Sequence, residues 1–201
     1  MTERVRRFLE ACEIDRNLSP LTIRQYDHYL NHLLSWLARE EPGVVDRPFA
    51  PVDLTALARD VIGDFAAVAA TKTVDLGMAE TQSSVAPVVV QGDVDALRTL
   101  VSNLVDNACK YAPRGGRVAV TVSGDGGRVR LAVEDSGPGI AASERPRIFD
   151  RFHRATTSQG GAGLGLAIAD AIVRATGGRW KVASAPAGGA RMGISWSRAL
   201  A

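Results

Sequence analysis

Asn103-Leu-Val-Asp-Asn107-Ala-Cys-Lys110-Tyr111 places two amides, an ammonium and a phenol within nine residues. The stretch lies in a run whose apolar residues Leu97, Leu100, Val101, Leu104 and Cys109 recur at helical spacing, and Asp93 precedes it as a cap. The spacing predicts one long helix from Asp93 to about Tyr111. Asn103, Asn107, Lys110 and Tyr111 stand at i, i+4, i+7 and i+8 and share one of its faces. A face of amides and an ammonium is costly to bury unless something fills it. Amide oxygens suit a hard cation such as magnesium, and a lysine suits phosphate oxygens. A solvated face that happens to carry two asparagines is the alternative reading of this segment alone.

Three further segments follow within about sixty residues. Asp135-Ser-Gly137-Pro-Gly139 ends a run, Leu131-Ala-Val-Glu, that reads as a strand. A carboxylate at a strand end beside two glycines can meet a ligand that approaches the backbone closely, and it accepts hydrogen bonds from an exocyclic amino group such as that of adenine. An ordinary Asp-Gly turn is the alternative. Phe149-Asp-Arg-Phe152 comes next. Gly161-Ala-Gly163-Leu164-Gly165-Leu166 then opens a helix, where glycines let backbone N–H groups face an anion. The glycine run follows a loop rather than a strand and carries no Gly-Lys-Ser/Thr, so it is neither a dinucleotide fingerprint nor a Walker loop. Taken together the segments offer a metal ligand, a base reader and a phosphate cradle.

The surroundings are those of a globular chain: 201 residues, 46% hydrophobic and 23% charged, with a net charge of +2. That balance argues against non-specific nucleic-acid binding, and DNA is not an expected partner. Cys12 and Cys109 match no metal spacing, and Cys109 reads as a buried thiol. No apolar run approaches the roughly 20 residues that span a bilayer, so a soluble, cytoplasmic chain is expected.

The chain divides at Glu40–Pro51, which holds Pro42, Gly43, Pro48 and Pro51. The expected organisation is a helical hairpin over 1–41, a linker over 42–51 and a larger domain over 52–201. In the hairpin, Ser19-Pro20 starts a helix whose Ile23, Tyr26, Leu30, Leu33 and Leu37 form a narrow seam. In the larger domain, a helix from Leu54 to about Ala70 precedes short strands at Val74–Met78 and Val85–Val90. After the long helix come strands at Val118–Val122 and Val129–Val133, joined through Gly124-Asp-Gly-Gly127. Residues 136–162 show little periodicity and read as a functional loop that orders on nucleotide. A helix from Gly163 to Ala175, ended by Gly177-Gly178, and strands at Trp180–Ala183 and Arg191–Trp196 close the chain. This pattern predicts an α+β domain, a two-layer α/β sandwich with a mixed sheet and helices on one face.

The four segments, in this order, resemble the asparagine box, first glycine box, phenylalanine box and second glycine box of the catalytic, ATP-binding domain of bacterial sensor histidine kinases. These belong to the wider Bergerat-fold ATPase group, and the likeness runs from about Pro51 to Ala201. The resemblance implies ATP and magnesium as cofactors. It implies Asn107 as the metal ligand, Asn103 beside it toward the γ-phosphate, and Lys110 on phosphate oxygens. Tyr111 would line the nucleotide, and Asp135 would accept from the adenine amino group, with Gly137 and Gly139 giving the base room. Phe149 and Phe152 would anchor a mobile lid, and Arg154 is a γ-phosphate contact candidate. Gly161, Gly163 and Gly165, with Leu164 and Leu166 between and after them, would hinge the lid and present N–H groups to phosphate. Asn103, Lys110 and Arg154 are the catalytic candidates. Hydrolases of the wider group tend to carry a glutamate where this chain has Asn103; an amide cannot take a proton from water, so the site suits transfer to another nucleophile.

A sensor kinase also needs a phosphoacceptor histidine, and its partners would be a histidine-bearing dimerisation domain and a response regulator, in a parent kinase anchored in the inner membrane. His28, His32 and His153 lack the acidic and proline flanks of such a site, so no autophosphorylation of this chain is expected. Phe8-Leu-Glu and Arg16-Asn-Leu-Ser-Pro-Leu-Thr-Ile-Arg24-Gln-Tyr26 instead resemble the N-terminal helical arm of tyrosine recombinases, which points to a fusion and to a homodimer through the hairpin. The alternatives to a kinase catalytic domain are an ATP-fold binding module with a DNA-binding or dimerising hairpin, and a weak ATPase.

Overall fold

The long helix, α2, runs from Val94 to Tyr111. Asp93 caps it by accepting hydrogen bonds at Oδ1 from the N–H groups of Asp95 (3.0 Å) and Ala96 (2.9 Å). Its apolar stripe is buried, and Leu97, Leu100, Val101 and Val105 are wholly inaccessible. At the other end Lys72 Nζ donates to the carbonyls of Cys109 (3.0 Å) and Lys110 (2.5 Å). The last turn of a helix leaves carbonyls without partners, and a cation there also meets the negative end of the helix dipole. The computed structural model that shows this describes residues 49–79, 87–125, 127–150, 163–186 and 188–197. All of them belong to one compact unit. The expected hairpin of residues 1–41 lies outside the described residues.

Helix α1 spans Leu54–Thr71 and starts at Asp53, whose Oδ1 accepts from Thr55 N and Ala56 N. Leu54, Leu57, Ala58 and Val61 are buried on its inner stripe. Arg98 of α2 reaches Asp64 at 2.8 Å and Asp60 at 3.4 Å, an exposed link between α1 and α2. Helix α3, Gly165–Ala175, packs on the other side of α2. It begins two residues after the predicted Gly163, because Gly163 takes φ +68°, outside the helical region. Gly177 (φ +69°) ends it, as the glycine pair predicted.

Among the described residues seven strands form two sheets: β1 (Ala50–Asp53), β2 (Asp75–Met78), β3 (Val89–Gly92), β4 (Arg117–Asp125), β5 (Arg128–Asp135), β6 (Arg179–Ser184) and β7 (Ala190–Ser197). The main sheet has the order β2-β4-β5-β7-β6. β2 is parallel to β4 and the other pairs are antiparallel, so the sheet is mixed. Val118, Val120 and Val122 on β4, Val129, Leu131 and Val133 on β5, and Met192, Ile194 and Trp196 on β7 alternate inward and bury against the helices. Period-two residues on one side and helical stripes on the other give the expected two-layer sandwich.

Two sequence expectations are corrected. β1 falls partly on residues read as linker, because Pro48 and Pro51 mimic a boundary. Pro51 is tolerated in a two-stranded ribbon where its missing N–H costs no central ladder bond. β3 was expected at Val85–Val90; it runs Val89–Gly92 and pairs with β1, not with the main sheet. Residues 80–86 lie outside the described ones.

Gly63 sits exposed within α1, and a methyl group there would meet nothing within 4 Å. Gly63→Ala is expected to stabilise the domain by roughly 0.5–1 kcal/mol by removing backbone freedom from the unfolded chain. Thermal or urea unfolding should show a higher midpoint.

Candidate functional site

The C-terminal half of α2, the end of β5 and the start of α3 come together, and glycines make the approach possible. Asn103 is only 3% exposed although its side chain is polar. Its Nδ2 has no hydrogen-bond partner among the described residues. A methyl group on Gly165 would lie 3.1 Å from Asn103 Oδ1, so the glycine lets the first turn of α3 settle against the amide. Leu164 holds the N-cap position of α3 without a side-chain cap bond, and Leu166 packs against the core. Among the described residues no side chain caps the first turn of α3, and its backbone donors lie beside a buried amide donor. That combination suits an anion.

Asn107, Lys110 and Tyr111 are half-buried on the same side of α2. Lys110 Nζ forms an ion pair with Asp106 one turn earlier, an interaction that no reading of the boxes singled out. Cys109, on the neighbouring buried face, is a free thiol. Burial first, and the Asp106 carboxylate second, push its pKa up to about 11, against an opposing pull from Lys72.

Asp135 ends β5 and is buried at 9% exposure. Its Oδ1 accepts from Gly137 N at 2.8 Å and from Ala190 N at 3.3 Å. Burial raises its pKa above the ordinary carboxylate value, while the two backbone N–H groups act in the opposite direction. Gly137 lies between Asp135 and α2: a methyl group there would fall 2.6 Å from Tyr111 O and 2.8 Å from Asp135 Oδ1. Gly139 takes φ +76° and lies against the carbonyls of Gly188 and Gly189.

The turn between β6 and β7 was expected around Ala185–Ala190, but its role beside Asp135 was not. A methyl group on Gly189 would be 1.8 Å from Asp135 O. Gly188-Gly189-Ala190 thus forms the support of the aspartate, and a glycine pair in a tight hairpin was the only local signal of it. A second missed contact holds Phe149. Its ring stacks on Trp180 of β6 at 4.8 Å between centroids, and Trp180 Nε1 donates to Asp170 Oδ1 of α3 at 3.1 Å. Phe152, Arg154 and Gly161 lie outside the described residues, as do His28, His32 and His153. Among the described residues no group of three or more His, Cys, Asp or Glu side chains could hold a metal. Among them, too, no helix is long and apolar enough to cross a membrane.

The comparisons with known proteins agree with this geometry. A sequence model described as histidine kinase-, DNA gyrase B-, and HSP90-like ATPase matches residues 92–199. The chain is 40% identical over 139 residues to the sensor protein kinase PmrB of Pseudomonas aeruginosa, covering 68% of this chain and 28% of that one. It is 43% identical over 115 residues to the signal transduction histidine-protein kinase/phosphatase MprB of Mycolicibacterium paratuberculosis, covering 56% of this chain and 22% of the relative. It therefore spans only about a quarter of the length of these kinases. Among solved structures, the mycobacterial sensor histidine kinase MprB superposes with a TM-score of 0.63 at 33% identity, over 76% of this chain and 99% of that one. The catalytic domain of histidine kinase ThkA gives a TM-score of 0.66 at 26% identity, over 75% and 95% of the two chains. The matched segment holds α2 with its amides, Asp135 and the glycine-led start of α3, and it covers more than half of the sequence: the chain belongs to the family of histidine kinase-, DNA gyrase B- and HSP90-like ATPases.

Proposed function

We propose that the domain holds ATP with a magnesium ion and presents the γ-phosphate to a histidine on another domain or chain. The observation that carries this is Asn103: a buried amide donor without a partner among the described residues, set against the first turn of α3. A buried orphan donor costs about 1–3 kcal/mol, and a phosphate oxygen would satisfy it. Asn107 and Lys110, further along the same face, supply an amide oxygen for the cation and a positive charge for the phosphates. Magnesium would neutralise charge on the phosphates. Asp135, fixed through Oδ1 by two backbone N–H groups, keeps Oδ2 for the adenine amino group.

The amide at position 103 bears on the type of reaction. It can orient a phosphate oxygen but cannot activate water as a general base, which favours phosphoryl transfer over hydrolysis. The nucleophile would come from a histidine-bearing dimerisation domain, and the phosphate would pass on to a response regulator, in a parent kinase anchored in a membrane. Residues 1–41 would contribute a self-associating hairpin.

Calorimetric titration of ATP with and without magnesium tests the reading. Asn107→Ala is expected to lose most of the magnesium-dependent gain in affinity while leaving affinity in EDTA within about twofold, because only the cation contact is removed. Equal losses in both conditions would remove Asn107 from the metal site. A folded chain that binds no adenine nucleotide would overturn the reading.

A further inference from the structure

The Asp106–Lys110 pair places a carboxylate at the edge of the proposed nucleotide face. Asp106 is three residues after Asn103 and immediately before Asn107, so it lies on the flank of the amide row. Its side chain is 16% exposed, against 36% for Lys110. The acid is therefore the more buried partner and its charge is poorly screened, while the ammonium stays reachable from solvent. Cys109, three residues on and buried, lies near enough for the Asp106 carboxylate to add to the upward push that burial gives its thiol. No second cation is paired with Asp106 among the described residues.

We propose that Asp106 is a positioning residue that holds the Lys110 ammonium in the empty site and competes with polyphosphate for it. The inference rests on the nucleotide reading above. A triphosphate entering along α2 meets Lys110 already neutralised. It must draw the ammonium off the carboxylate, or share it, with a like charge one helical turn away. Both effects have the same sign: each reduces the part of the affinity that comes from the phosphates. Neither touches the base, which is read at Asp135 on the end of β5. Asp106 would thereby keep adenine recognition intact while it loosens the grip on the polyphosphate, a property suited to a site that must release its nucleotide after transfer.

The test measures the affinities of adenosine, ADP and ATP by calorimetry for the wild-type chain, Asp106→Asn and Asp106→Glu, in EDTA and in magnesium. Asp106→Asn is isosteric and removes the charge. The ratio of ATP to adenosine affinity is expected to rise about 3- to 10-fold in this variant, with adenosine affinity unchanged. Asp106→Glu, which can still reach across one turn, should bring the ratio back toward wild type. A residue that only stabilised the helix would lower the melting temperature and shift all three ligands together. A wild-type chain that binds adenosine and ATP, beside an Asp106→Asn variant with an unchanged or smaller ratio, overturns the inference and leaves the nucleotide site standing. A folded wild-type chain that binds none of the three overturns both.

Discussion

Asp135→Asn is expected to weaken adenine-nucleotide binding about 5- to 150-fold, equivalent to about 1–3 kcal/mol, while leaving the fold intact. The side chain is buried, and its Oδ1 is committed to the N–H groups of Gly137 and Ala190. In the asparagine variant the amide oxygen must keep those two donors, since an amide NH2 facing them would set donor against donor. The NH2 group then occupies the place of Oδ2 and confronts the adenine amino group, itself a donor. The isosteric exchange leaves packing unchanged, so melting temperature should move little. Titration of ATP and ADP checks the affinity, and undiminished binding would remove Asp135 as the base reader. The pH dependence follows from the same geometry. Burial raises the folded-state pKa of Asp135, so as pH falls the carboxylate is lost sooner than an ordinary one, and nucleotide affinity should fall with it. For stability the sign is opposite: a raised carboxyl pKa contributes stability at low pH that is lost as pH rises through the folded-state value.

Gly189→Ala is expected to be the most damaging single-methyl change in the domain. The added carbon would sit 1.8 Å from Asp135 O, 2.5 Å from its carbonyl carbon and 2.6 Å from Oδ1. These are backbone and buried atoms and cannot swing aside as a flexible side chain would. The β6–β7 turn would have to move away from the end of β5, breaking the Ala190 N–Asp135 Oδ1 bond. A cost on the order of 3 kcal/mol or more is expected, with loss of nucleotide binding in whatever remains folded. Gly127→Ala is the informative comparison. Gly127 also has positive φ, +76°, but a methyl group there meets nothing within 4 Å. Its cost should be limited to backbone strain of about 1–2 kcal/mol, with nucleotide affinity preserved. Urea unfolding of both variants separates the two effects. Equal destabilisation would show that the close approach at Gly189 relaxes without cost.

The link between β6 and the segment carrying Phe149 illustrates how function and fold share residues here. Trp180 meets Phe149 on one side and Asp170 on the other, and Asp170 is also paired with Arg174 at 2.8 Å. Arg145 adds bonds to Ile140 O and to Ser184 Oγ. Two separated anchors therefore tie residues 140–149 to the edge strand of the sheet. The phenylalanine was legible as a motif residue, but its partner was not, because a tryptophan on an edge strand looks like any other half-buried aromatic.

Much of the domain was determined by the sequence itself, wherever information is local. The Asp53 and Asp93 caps act on N–H groups two and three residues away. The stripes of α1 and α2 and the alternation in β4, β5 and β7 follow from periods of 3.6 and 2. Asn103, Asn107, Lys110 and Tyr111 share a face because helix geometry requires it, and the order of the glycine-bearing segments was enough to identify the family. What the tertiary structure alone decided is long-range. The pairing of β1 with β3 joins residues some forty apart across a proline-marked stretch. The Lys72 cap on α2, the burial of Asn103 under Gly165, and the support of Asp135 by Gly189 and Ala190 each join segments distant in sequence. No periodicity announces such contacts, because a glycine that admits a neighbour's carbonyl has the same letter as one that only turns the chain. The physical reason is the same in every case: local rules act over a few bonds, whereas the site is assembled by packing, which brings donors and acceptors together only after the two layers have closed.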